Sequence, residues 1–219
     1  MTAEIRDIAI FTTVAAIAAT ALMLVPGVAV AWLLARRDFP GKSLVETLVS
    51  LPLVMPPVAT GLLLLWLFSR RGPVGALLAH IGIEIVFTPA AVVIAMAVMG
   101  LPLLVRTARA GFEQVTRRYE QIAETLGAGP WRVFSTVTLP LASRNILAGA
   151  VLGFSRALGE FGATIVVAGS IPGRTRTLAL GIYSFTETGQ DAQAAVLLLI
   201  SVIIAFAAVL TSNRLARAV

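Results

Sequence analysis

The chain alternates long apolar runs with short polar connections. Ile8 to Ala35 carries no charged residue, and neither do Thr47 to Ser69, Ile85 to Val105 or Ala192 to Asn213. A further run, Asn145 to Ser170, is interrupted only by Arg156 and Glu160. A helix that crosses a bilayer needs about 20 mainly apolar residues. The pattern therefore predicts an all-α integral membrane protein with five spans. The spans and their connections use up residues 1–219, so one membrane domain is expected. No sequence repeat relates the two halves.

Composition sharpens this picture. Hydrophobic residues make up 58% of the chain and charged ones 13%, against about 25% charged in soluble domains. Mean hydropathy is +0.93. The net charge of +6 invites a nucleic-acid partner. The basic residues, however, sit beside apolar runs, where membrane topology puts them, so the expected partner is the lipid bilayer. Cysteine is absent, which excludes disulfides, thiolate metal sites and cysteine nucleophiles. The opening MTAEIRDIAI carries Glu4, Arg6 and Asp7 before an overlong apolar run. It reads as a mature span and not as a cleaved signal.

An odd number of spans puts the termini on opposite sides. Connections after spans one, three and five, with the tail, hold Arg36, Arg37, Lys42, Arg106, Arg109, Arg117, Arg118, Arg132, Arg144, Arg214 and Arg217. The other side holds Arg6, Arg70, Arg71, Arg174 and Arg176. Positive charge stays inside, so the N-terminus is expected outside and the C-terminus in the cytoplasm.

Prolines interrupt the spans. Pro26 lies late in span one, Pro52, Pro56 and Pro57 crowd span two, and Pro89 and Pro102 fall in span three. An interior proline removes a helix hydrogen bond and clashes with the preceding turn. Freed carbonyls at membrane depth are tolerated where they face protein or a watery cavity. A substrate pathway along the kinks and ordinary kinked packing are both consistent with this pattern, and span two favours the pathway.

Between spans three and four, residues 111–140 break the apolar pattern. Val115, Tyr119, Ile122, Ala123 and Leu126 recur at helical spacing on one face. Gly127 is placed to end that helix, and Pro130 to open a second, with Trp131, Phe134 and Val137 along one side. Pro140 marks the start of span four. The prediction is a cytoplasmic helix, glycine turn and helix. Its apolar face requires cover, either from the chain's own membrane surface or from another subunit.

This segment resembles the cytoplasmic loop of ABC importer permeases, written E-A-A, three residues, G, nine residues, I-x-L-P. Counting back from Leu139-Pro140 puts Val137 at the Ile position, Gly127 at the Gly, and the E-A-A on Gln121, Ile122 and Ala123. Ala123 matches outright, and the adjacent Glu120 offers an acid. The stretches AWLLARRDFPGKSLVETLVSLPLVMPPVATGLLLL, ETLGAGPWRVFSTVTLPL, SRALGEFGATI and IPGRTRTLALGIYSF resemble the molybdate and tungstate permease subunits of type I ABC importers. Sulfate permeases share the GEFG-like segment but usually carry an extra N-terminal span.

The resemblance implies a homodimer around one pathway in the cell inner membrane. It also implies two ATPase subunits beneath the dimer and a periplasmic or surface oxyanion-binding protein above it. The coupling contacts would be Glu120, Gln121, Ala123, Glu124, Thr125, Leu126, Gly127 and Trp131. The chain lacks a G-x-x-x-x-G-K-[ST] loop, so no cofactor is expected on it. ATP and Mg would belong to the partner ATPase.

Arg156 and Glu160 are the ionisable residues well inside a span, four apart and able to meet on one face. Charges within a membrane are rare and usually functional. They either line an anion route, with Ser155 and Thr164 as hydroxyl donors, or form a structural pair. Two rival functions remain. A secondary transporter also uses broken helices but typically shows repeats. An intramembrane enzyme would use Ser155 in GFSRA, yet the lone His80 is expected in an outer loop, away from any serine it could activate. No metal site is expected.

Overall fold

A computed structural model describes residues 3–217, with side chains through Arg214; the side chain of Arg217, used above for topology, lies outside the described residues, as do Thr2 and Ala218. Among the described residues the regular elements are all helices. The first, α1 (Ala3–Arg36), runs unbroken through Pro26. At 1.5 Å per residue it is about 50 Å long, more than the apolar core of a bilayer.

Span two was expected as one kinked helix over Thr47 to Ser69. It is two helices, α2 (Lys42–Val54) and α3 (Pro57–Phe68), bent by 115°. The Pro56-Pro57 pair explains the break. Met55 precedes a proline and is extended, with φ −67 and ψ 146, as sterics require. Pro57 then opens α3, where no amide hydrogen is needed. Pro52 stays inside α2. A short helix, α4 (Pro73–Ala79), follows.

Span three is α5 (Pro89–Gln114). It starts four residues later than predicted, because Pro89 begins the helix instead of kinking it. It also runs on past Val105. The predicted helix from 111 to 126 is therefore divided. Its first residues complete α5, Val115 is extended, and α6 (Arg117–Thr125) starts afresh. Pro130 opens α7 (Pro130–Val133). A π-helical stretch, Phe134–Thr138, joins it directly to α8 (Leu139–Leu158).

Span four thus spans Pro130 to Leu158 as one long element, and Pro140 marks no boundary. The π stretch accounts for this. Leu139 N–H reaches back five residues to the Phe134 carbonyl, and the widened turn relieves the clash that Pro140 would otherwise impose. The predicted end at Ser170 also moves: the helix stops at Leu158, and after a break comes α9 (Gly162–Val167). Next come α10 (Leu178–Glu187), in a stretch read from sequence as an outer loop, and α11 (Asp191–Arg217), the fifth apolar run.

Helix α5 is the centre, packed between α1 and α8. Small residues allow the approach. A Cβ on Gly100 of α5 would lie 2.8 Å from the Gly153 carbonyl oxygen of α8, and one on Gly153 would lie 2.3 Å from Met23 Cε of α1. Membrane helices lack a hydrophobic drive between them, so such contact supplies the packing. Polar bonds add to it. Thr12 Oγ1 of α1 accepts from the Leu178 amide at 2.8 Å, and Ser212 of α11 donates to the Ala148 carbonyl of α8 at 3.2 Å.

Candidate functional site

Two features depart from simple spanning helices: the hairpin of α6 and α7, and the junction of the two broken helices. In the hairpin, Gly127 has φ +84. Its amide donates to the Glu124 carbonyl at 2.9 Å, and the Ala128 amide donates to the Ala123 carbonyl at 3.0 Å. This pair of bonds closes the end of a helix around a left-handed residue. The turn fixes the angle between α6 and α7.

The apolar face predicted for α6 is turned outward, apart from Val115, which is buried. Leu126 is 83% exposed and Trp131 78%, although the Trp131 ring still meets Phe134 at 5.7 Å. Tyr119, Gln121, Ile122, Glu124 and Thr125 are exposed, and Ala123 is half-buried. The chain's own membrane surface does not cover this face. Val133, which the sequence reading passed over, faces inward instead.

The inner side of α6 is polar. Glu120 Oε1 lies 3.0 Å from Arg36 Nη2 and accepts from Thr138 Oγ1 at 2.6 Å. Sequence offered Glu120 as an acid for a partner, yet this oxygen is engaged within the chain. A cavity of about 290 Å³ lies beside it, lined among others by Trp32, Arg37, Arg117 and Glu124. On the adjoining turn, the hydrogen bond and charge of Lys42 hold the Asp38 carboxyl below its usual range, with Arg117 adding a smaller pull.

At the second feature, the break after α8 meets the break before α3. A Cβ on Gly162 would fall 2.7 Å from Pro57 Cβ, and one on Gly61 would fall 2.7 Å from the Ala163 carbonyl oxygen. The structure therefore brings Pro57 against α9, while Pro56 is exposed and Pro52 remains half-buried in α2. Arg156 and Glu160 pair at 2.7 Å, with the Glu160 side chain 1% exposed and that of Arg156 26%. Glu160 lies beyond the end of α8 and not within a continuous helix. Its second oxygen accepts from the Ala163 amide at 2.6 Å. One carboxylate thus matches the arginine and ties down the first turn of α9.

The predicted hydroxyl donors bond locally. Ser155 donates to the Val151 carbonyl at 2.8 Å and Thr164 to the Phe161 carbonyl at 2.9 Å. The sequence reading missed Thr60, whose buried hydroxyl lacks a protein partner. It also missed Phe87, which holds a positive φ of 59 while its amide donates to the Val167 carbonyl at 3.1 Å. Neither carries a local sequence signal. Arg36 did stand out at the end of span one, but only as a topology marker.

Residues 27–219 match the family model described as the binding-protein-dependent transport system inner membrane component. The chain is 48% identical over 193 residues to the molybdenum transport system permease protein ModB of Escherichia coli (strain K12), covering 87% of this chain and 84% of that one. It is 46% identical over 190 residues to the Haemophilus influenzae protein of the same name, covering 86% and 83%. A sulfate transport system permease protein, CysT of Escherichia coli (strain K12), is 38% identical over 197 residues, covering 88% and 71%.

Among solved structures, a bacterial ABC transporter that imports alginate matches with a TM-score of 0.72 at 16% identity, over 100% of this chain and 81% of that one. The MetNI methionine ABC transporter, inward facing, matches with a TM-score of 0.63 at 14% identity, over 97% and 94%. At such identities the likeness speaks to the fold. The broken spans, the exposed hairpin and the extent of the sequence match converge: this chain belongs to the family of inner membrane components of binding-protein-dependent transport systems.

Proposed function

We propose that this chain is the membrane-spanning permease subunit of an ATP-driven importer of molybdate and of its analogue tungstate. Two copies form one central pathway. The observation that carries the substrate is the 48% identity, over most of both chains, to a molybdenum permease. The 38% identity to a sulfate permease favours a second reading, an importer of sulfate or another tetrahedral oxyanion.

The N-terminus lies outside and the C-terminus in the cytoplasm, as the distribution of basic residues implies. The segment 111–140 then faces the cytoplasm. Two separate ATPase subunits seat on the dimer, one on the α6 of each copy, meeting Gln121, Glu124, Thr125, Leu126, Gly127 and Trp131, with Glu120 and Ala123 on the supporting side. The exposed apolar face of the hairpin supports this reading, since such a face calls for a partner. ATP and Mg are held by those subunits and none by this chain. A binding protein on the outer side delivers the anion.

The pathway follows the junction of the broken helices. Pro52, Pro56, Ser155 and the exposed part of Arg156 line it, while Pro57, Glu160 and Thr164 are packed behind as support. Glu160 neutralises Arg156, which keeps the junction from trapping a dianion; conduction needs weak sites. Closure of the ATPase pair would bias the spans between outward-open and inward-open states.

The test is uptake of labelled molybdate by cells expressing this chain with its ATPase and binding protein, competed by tungstate and by sulfate. Competition by tungstate with little effect of sulfate is expected. Uptake of sulfate with none of molybdate would replace the first reading with the second.

A further inference from the structure

One ion pair joins three membrane helices at the root of the hairpin. Arg36 ends α1, and its Nη2 donates to the Val115 carbonyl at 2.9 Å, the residue at which α5 gives way to α6. The same nitrogen pairs with Glu120 on α6. Glu120 in turn accepts from Thr138, the last π residue before α8. The Arg36 side chain is 10% exposed and that of Glu120 18%. Exposed pairs are weakened by water and salt, whereas this one is largely shielded. A second tie runs in parallel: the Phe134 ring meets Trp32 of α1 at 5.6 Å and Phe112 of α5 at 6.4 Å.

We propose that Arg36, Glu120 and Thr138 form a positioning cluster that fixes the hairpin to the ends of α1, α5 and α8. A displacement of α6 then moves the three helices together. Without the cluster, the extended residue at Val115 would act as a hinge and absorb the motion, as terminal residues of helices do. Glu120 acts through Arg36 and Thr138 and not through contact with the ATPase. The inference rests on the coupling role proposed for the hairpin.

The test uses the full complex with its ATPase and binding protein, carrying Glu120→Ala. Three quantities are measured: ATPase recovered with the permease, ATP hydrolysis, and labelled molybdate taken up per ATP. ATPase recovery should stay close to wild type and hydrolysis should persist. Uptake per ATP should fall by roughly 5–150-fold, the range of typical coupling between sites. Arg36→Ala, which removes the other partner together with the bond to the Val115 carbonyl, should cause a loss at least as large. Glu120→Gln, which keeps the shape and can still accept from Thr138, should lose less and provides an assembled variant if Glu120→Ala fails to accumulate.

Loss of the ATPase from Glu120→Ala, or unchanged uptake per ATP, would overturn the proposal. So would an assembled Arg36→Ala with unchanged uptake per ATP. The coupling role of the hairpin fails by a different sign: full ATPase recovery with Leu126→Asp, a residue outside the cluster.

Discussion

A side chain at Gly127 should weaken the hairpin by an amount that can be worked out. The residue holds φ +84, and a Cβ there would meet nothing within 4 Å. No clash arises inside the chain, so the internal penalty is backbone strain alone, roughly 1–2 kcal/mol for a residue with a Cβ. That is a factor of about 5–30 in the population of the closed turn. Gly127→Ala adds this strain with little bulk. Gly127→Asn adds bulk with less strain, because asparagine tolerates the left-handed region. Gly127→Asp adds charge to the same shape. If the ATPase lies over the turn, recovery of the ATPase should fall in the order Ala, Asn, Asp, with Asp abolishing uptake. Membrane abundance should not change, since a Cβ at Gly127 meets none of the spans. The assay is co-purification of the ATPase with each variant, scored beside abundance in the membrane. Full ATPase recovery and normal uptake with Gly127→Asp would remove the hairpin from the coupling path.

Other positions give separate checks. Gly61→Ala would set a Cβ 2.7 Å from a backbone oxygen and 2.8 Å from the Cα of Ala163; such overpacking costs roughly 1–3 kcal/mol, and an unchanged thermal midpoint of the purified protein would contradict the contact between α3 and α9. Arg156→Ala leaves the buried Glu160 unmatched, a loss below the roughly 3–5 kcal/mol of a fully buried pair because Arg156 is 26% exposed. Glu160→Gln, which can still accept from the Ala163 amide, should destabilise less, and the reverse ranking by thermal midpoint would count against the pairing. Cysteines at Thr2 and Ala218, read without background thiols, report orientation: an impermeant thiol reagent should label position 2 and spare position 218 in intact cells, and the opposite pattern would invert the topology.

Runs α1 and α11 were plain in the sequence because an uncharged stretch longer than a bilayer leaves few alternatives. Breaks within apolar stretches were only partly legible. Pro56-Pro57 announced an interruption of span two but not an angle of 115°, since that angle depends on α3 packing against α9. The stop at Leu158 had no proline to mark it: Gly159 and Glu160 fall in the break, but the run resumes at Phe161 and the hydropathy pattern ran straight over it. Helix α10 is ten residues long, too short for the spanning pattern to find. At the hairpin, Gly127 and Pro130 signalled the turn locally. Val115 gave no sign that it would divide the helix, because its extended backbone is joined to Arg36, a residue distant in sequence. The same holds for Glu120, whose partners lie on two other elements. Local signals located the unusual segments, and non-local bonds decided which of their side chains face inward.

This chain is expected to move an oxyanion only when a separate ATPase drives it and a binding protein supplies it. Purified chain in liposomes, with the ATPase and the binding protein each present or omitted, tests this directly through accumulation of labelled molybdate. Accumulation should require both partners and ATP, and the chain alone should neither bind nor hydrolyse ATP. Accumulation by the chain alone, without ATP or binding protein, would instead make it a secondary transporter.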